Sequence, residues 1–144
     1  MLTLTRRSHS HPGDVIDFTL SLTAEDRTRS RHHFLADCGE PLHLQLPRGT
    51  VLRDRDLLIS EDDRRVKVIA KPEPVITVRT KTTLELLRAA YHVGNRHVPL
   101  EITAEYLRLS PDSVLKDMLE NLGLQVEEGI APFQPEAGAY GHSH

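Results

Sequence analysis

The chain has 144 residues, enough for one ordinary domain or two small ones, and with 38 % apolar residues each half buries only a modest core. A formal charge of −3 excludes a protein built to neutralise a phosphate backbone, and no run approaches the roughly 18 apolar residues that span a membrane, so neither nucleic acid nor membrane is expected as a partner. One cysteine, Cys38, excludes an intrachain disulfide and cysteine-cluster metal sites, and an N-terminus without a long apolar stretch places the chain in the cytoplasm.

The first half reads as strands. Phe18–Leu22 and Leu42–Leu46 alternate apolar and polar residues, the period of a sheet with one buried face. Leu57–Ile59 and Val66–Ile69 are two more short strands, and His32 and His33 fall in another. Turn formers separate them: Pro12-Gly13-Asp14, Cys38-Gly39-Glu40-Pro41, Pro47-Arg48-Gly49-Thr50 and Ser60-Glu61-Asp62-Asp63. This pattern predicts a small all-β domain over 1–73. Lys71-Pro72-Glu73-Pro74 then reads as a stiff, extended connector.

The second half changes period. Val75–Val78 is a strand. A helix follows, opened by Thr82 with Glu85 in capping-box register, its apolar face formed by Leu84, Leu87 and Tyr91 and its left-handed stop supplied by Gly94 and Asn95. Val98–Ile102 and Tyr106–Leu109 read as two strands. A second helix has Ser110 as cap, Pro111 at its first position, and Leu115, Met118, Leu119 and Leu122 as its stripe. Gly123 ends it, and Leu124–Glu127 is a last strand. The order β-α-β-β-α-β over 74–133 predicts an α+β chain whose second domain is ferredoxin-like. Residues 134–144 are small and polar and predict a flexible, histidine-containing tail.

Histidine is the unusual residue, at 9 copies, so any metal would be held by imidazole and oxygen. His92 and His97 are spaced i, i+5, roughly 140° apart on a helix at about 100° per residue. They do not form the one-face pair of i, i+4 sites. His92 reads first as a packing residue on the helix. His97 follows a Gly-Asn turn and projects from a bend. Alone it is one ligand, too few for a divalent ion. Symmetry offers a solution, since a residue near the two-fold axis of a homodimer occurs twice. The alternative is an ordinary surface histidine. His142 and His144, at i, i+2, either supply extra ligands or are plain polar tail. His9, His11, His32, His33 and His43 read as structural or surface residues, with His32 and His33 on opposite sides of their strand and His43 on the wet face. Arg96 reads as a surface partner of Glu101 or Glu105. No phosphate loop, nucleophile elbow or zinc-protease stretch is present.

The segment Tyr91-His92-Val93-Gly94-Asn95-Arg96-His97-Val98-Pro99-Leu100 closely resembles the metal-site segment of the UreE family of urease accessory proteins. Ala131 through His142, Tyr106–Leu109 and Val114–Leu119 resemble that family's C-terminus, last hairpin and helix. The resemblance implies a nickel metallochaperone that delivers Ni(II) for urease assembly. It implies a peptide-binding-type β domain and a ferredoxin-like metal-binding domain. It also implies a homodimer with His97 at the two-fold axis, and transfer partners in the urease-activating GTPase, the accessory complex and apo-urease. His97, His142 and His144 are the expected ligands, with His92 and Asp112 in secondary places. Zn(II) and Cu(II) are the ions expected to compete in vitro. Two features depart from the family. Pro111-Asp112-Ser113 stands where some relatives have histidines flanking an aspartate, and the tail carries two histidines where some have many. A metal-independent peptide- or protein-binding module is the alternative reading.

Overall fold

The computed structural model describes residues 1–136, which divide into two compact units, Met1–Lys71 and residues 72–136. In the first unit the strands are β1 (Leu2–His9), β2 (Phe18–Leu22), β3 (Arg31–Leu35), β4 (Pro41–Gln45), β5 (Asp56–Ser60) and β6 (Arg65–Ala70). A 3₁₀ turn, Asp26–Thr28, follows β2. They form one six-stranded sheet in the order β2-β6-β5-β1-β4-β3. The β1/β4 and β2/β6 pairs are parallel and the others antiparallel. The first strand, β1, has no alternating pattern beyond Leu2 and Leu4 and is not legible as a strand in the sequence.

The inward residues are those that the period predicts: Leu20 and Leu22, Leu42 and Leu44, Leu58, Val66 and Val68, joined by Leu2, Leu4, Leu46 and Leu52. The two ends of the sheet approach each other. In the turn between β3 and β4, the Asp37 backbone N–H donates to Thr19 O of β2 at 2.9 Å. The Asp37 carboxylate accepts from Thr19 Oγ1 (2.7 Å), Ser21 N (3.0 Å) and Ser21 Oγ (2.9 Å). Burial pushes this carboxyl up, but the bonds from Thr19 and Ser21 and the charge of Lys71 outweigh it and hold its pKa below the usual value. The β3–β4 hairpin is thereby pinned at its tip.

The second unit contains β7 (Glu73–Arg79), α1 (Thr83–Gly94), β8 (Glu101–Ile102), β9 (Tyr106–Leu109), α2 (Ser113–Asn121) and β10 (Gln125–Ala131). The chain is therefore α+β, with one helix after β7 and one after β9. Its four-stranded sheet has the order β10-β7-β9-β8, antiparallel throughout. The expected connector is part of it: β7 begins at Glu73, and Pro74 sits opposite Ile130 of β10. Proline is tolerated there because it lies at the start of the strand.

Four further expectations are corrected. The α1 face turned to the core is Leu86, Ala89 and Val93, while Leu84, Leu87 and Tyr91 are 54 %, 61 % and 66 % exposed. The α1 stop is not left-handed at Gly94 or Asn95: Gly94 is the last helical residue and Asn95 has φ −64°. The cap of α2 is Asp112, not Ser110, with Oδ1 accepting from Val114 N and Leu115 N, both at 3.0 Å. The segment from Gln134 is not free as far as Glu136. Phe133 is buried, Gln134 N donates to Glu101 Oε1 at 2.8 Å, and Glu136 N donates to Leu100 O at 2.8 Å.

The Thr82 cap holds as expected. Its side chain accepts from Glu85 N at 3.1 Å, and Glu85 Oε1 reaches back to Lys81 N at 3.2 Å. The cap of α2 gives a direct test. Asp112→Ala should destabilise the second unit by about 1 kcal/mol, the usual cost of a lost N-cap. Ser110→Ala should leave the urea midpoint unchanged.

Candidate metal centre

His97 stands just beyond α1, where the chain must reverse towards β8. The helix unwinds through three successive bonds: Asn95 N to Tyr91 O (3.0 Å), Arg96 N to Val93 O (3.0 Å) and His97 N to Gly94 O (3.1 Å). The last two span three residues, the tighter 3₁₀ pattern that often finishes a helix. The left-handed residue is His97 itself, with φ 57°. Left-handed backbone disfavours a side chain with a Cβ, and asparagine, aspartate and histidine tolerate it best. The imidazole is exposed. It is anchored from behind by Val93, which is fully buried, and from ahead by Leu100, also in the core. A rigid backbone therefore holds out an accessible ring.

His92 lies one turn earlier and is also exposed. Its ring meets the Tyr91 ring edge-on, with centroids 5.4 Å apart at 76°. Asp112 is engaged in capping α2 and is not a free carboxylate. His142 and His144 lie outside the described residues. Among the described residues no three His, Cys, Asp or Glu side chains converge where an ion would sit. Glu101, expected as a partner for Arg96, instead accepts from Gln134 N and from the Tyr106 hydroxyl at 3.4 Å. In the first unit, His33 and His43 stack, a contact that sequence spacing did not reveal. No described helix is long and apolar enough to cross a membrane.

The fold and the single exposed imidazole alone do not define a function, and the class of the protein comes from its relatives. Residues 3–71 match the family described as UreE urease accessory protein, N-terminal domain, and residues 73–144 match its C-terminal domain. The chain belongs to the UreE family of urease accessory proteins, which are chaperones and not enzymes. It is 57 % identical to the urease accessory protein UreE of Nostoc punctiforme, over all of this chain and 98 % of that protein. A Nostoc sp. relative is 56 % identical, over all of this chain and 99 % of its own length. The relative from Burkholderia lata is 54 % identical over 126 residues, which are 88 % of this chain and 61 % of that protein.

The backbone at His97 makes a prediction that is independent of metal. Glycine relieves the left-handed conformation and alanine does not. His97→Gly should therefore be more stable than His97→Ala by about 1 kcal/mol, measured by urea unfolding. Equal stability of the two variants would mean that the bend is not left-handed in solution.

Proposed function

We propose that this chain is a nickel carrier for urease assembly, in which two copies pair through their second units and share one Ni(II) between their His97 rings. The observation that carries the reading is the exposed His97 ring on a rigid bend at the end of a helix whose outer face is apolar. Leu84, Leu87 and Tyr91 fall within an arc of about 60° on α1, roughly opposite its core face, at about 100° per residue. A two-sided apolar helix with one side in water is a surface for a partner, and a second copy supplies the missing ligand.

The ferredoxin-like reading of the second unit rests on its βαββαβ element order and on the antiparallel sheet order β10-β7-β9-β8. That arrangement leaves one end of the sheet, next to β8, free for the His97 bend. The route of the C-terminal segment adds support for His142 and His144 as further ligands. Glu136 is bonded to Leu100, three residues beyond His97. Six residues extended span about 20 Å, so His142 is within reach of the bend. Ligand number would thus rise from two central rings to more when the tail joins, which suits an ion that has to be released again. Imidazole also binds Cu(II) and Zn(II), and affinity order alone favours copper over nickel, so supply and geometry set the cargo. The cargo would pass to apo-urease through the urease-activating GTPase and the larger accessory complex, in the cytoplasm. His92 and Asp112 take no direct part in this scheme.

Light scattering with nickel calorimetry tests it. The purified chain should have twice its sequence mass and bind Ni(II) tightly, and His97→Gly should abolish the tight site while leaving the dimer. Leu87→Asp should give monomer and weaken binding along with it. Nickel that binds His97→Gly unchanged, or a monomer that binds as well as the parent, would refute the shared site. No nickel binding at all would favour the metal-independent module. Loss of Gly141 through His144 should lower affinity or stoichiometry without abolishing binding, because the two central rings remain and the terminal histidines only add to them. Affinity should also fall steeply from about pH 7.5 to 5.5, since each imidazole has to shed its proton to coordinate. Constant affinity over that range in folded protein would exclude an imidazole site.

A further inference from the structure

We propose that His33 and His43 form a second, exchangeable divalent-metal site, on the first unit and separate from His97. The two residues sit directly opposite each other on the antiparallel strands β3 and β4. Their rings are stacked nearly parallel, 8° between planes, with centroids 4.1 Å apart. Directly opposite residues project from the same face of a sheet, so both rings share one solvent side. His33 is exposed and His43 half-buried, which leaves an ion free access from water.

The spacing suits chelation. Two nitrogens bound to one ion at 2.0–2.1 Å are about 3 Å apart at a right angle and about 3.4 Å apart at the tetrahedral angle. In the stacked pose the in-plane lone pairs of the two rings run nearly parallel, so each ring turns by roughly 45–55° about its side-chain bonds to bring one nitrogen of each onto a shared ion. Gln45, two residues along β4, places its side-chain nitrogen 3.3 Å from His43 Nδ1. An amide N–H donates and leaves Nδ1 as its acceptor, so Gln45 has to turn its amide oxygen to Nδ1–H for Nε2 to bind an ion, the outer partnership usual for a metal-binding imidazole. The hairpin itself is pinned by Asp37 to Thr19 and Ser21, so β3 and β4 do not slip against each other.

The donor set defines the ligand. Two neutral imidazoles and no carboxylate suit Ni(II), Cu(II) or Zn(II) rather than calcium or magnesium. The remaining positions are filled by water, and Arg31, opposite Gln45 on the same face, opposes any cation. The site is therefore weak and fast to exchange. It takes an ion from solution and cannot retain it, unlike a closed cage.

The experiment uses the full chain carrying His97→Gly, His142→Ala and His144→Ala, so that the site proposed above is absent and its failure is not confused with this one. Cu(II), the tightest binder of the imidazole series, is titrated and followed by electron paramagnetic resonance. One equivalent per chain should bind with a two-nitrogen signature and raise the melting temperature. Further substitution of His33→Gln or His43→Gln should each raise Kd by about tenfold or more, because the second ring acts as an intramolecular donor. His32→Gln, whose side chain faces the other way, should leave Kd unchanged. Circular dichroism checks that each variant is folded. A one-nitrogen signature, or a Kd unmoved by His33→Gln and His43→Gln, would overturn the proposal, as would an equal loss on His32→Gln.

Discussion

The docking of α1 onto its sheet sets everything else at the candidate centre. Leu86, Ala89 and Val93 go into a core with Ile76, Val78, Leu107 and Leu109. Burying a leucine or valine side chain is worth about 1.5–3 kcal/mol, so the helix cannot roll to expose that face. With the face fixed, three consequences follow from geometry. Leu84, Leu87 and Tyr91 are left in water. The helix end falls where Val93 meets the core. The chain must then reverse between Gly94 and Leu100 to deliver Leu100 to the same core, and the left-handed residue of that reversal is His97. The exposed imidazole is thus a product of packing on both sides of it, and its position is as rigid as the core that sets it.

Much of this was legible in the sequence. The alternation in Phe18–Leu22 and Leu42–Leu46, the Thr82 cap and the βαββαβ order all appear as read, because each is written in local periodicity or in a side chain that bonds a neighbouring backbone group. The misreadings have a common cause. Two apolar triplets in α1, Leu84/Leu87/Tyr91 and Leu86/Ala89/Val93, both recur with helical spacing. Periodicity identifies an apolar face but does not say which of two faces meets the core. The larger side chains suggested the first, and the small Ala89 belongs at the close approach of helix and sheet. Ser110 reads as the cap because Pro111 follows it, but Asp112 carries the cap. Pro111 favours an extended residue before it and can sit just before a cap as well as just after one. Gln134 and Glu136 carry no apolar signal, yet they are held through backbone donors to Glu101 and Leu100, which composition cannot show.

The first unit shows the same limit in a sheet. His33 and His43 were each readable as strand residues, and His43 as facing water. That they stand opposite one another depends on the register of β3 against β4, and register depends on the turn Ala36–Glu40. Here the Ala36 N–H donates to Glu40 O at 2.8 Å, and Asp37 ties the turn across to β2. A one-residue slip would have sent His33 to the inner face and left His43 facing a different neighbour. The pair is therefore a property of tertiary structure alone.

The two imidazole placements differ in a way that matters for metal handling. His33 and His43 offer two donors from one chain, already side by side, so binding there needs no second molecule. In the proposed carrier His97 offers one, so a complete site there would need a partner and would gain whatever the association of two chains contributes. Occupancy at the first site should then depend on free metal alone. Occupancy at the second should depend on protein concentration as well, since unpaired chains hold half a site. A carrier whose strong site exists only in the assembled pair can be emptied by anything that separates or reshapes the pair, without a competitor of higher affinity. That couples release to a protein contact, and a single-chain cage of equal affinity would lack the coupling. The exposed face of α1 is consistent with such a pairing: it is apolar enough to associate and, at three residues, small enough to part.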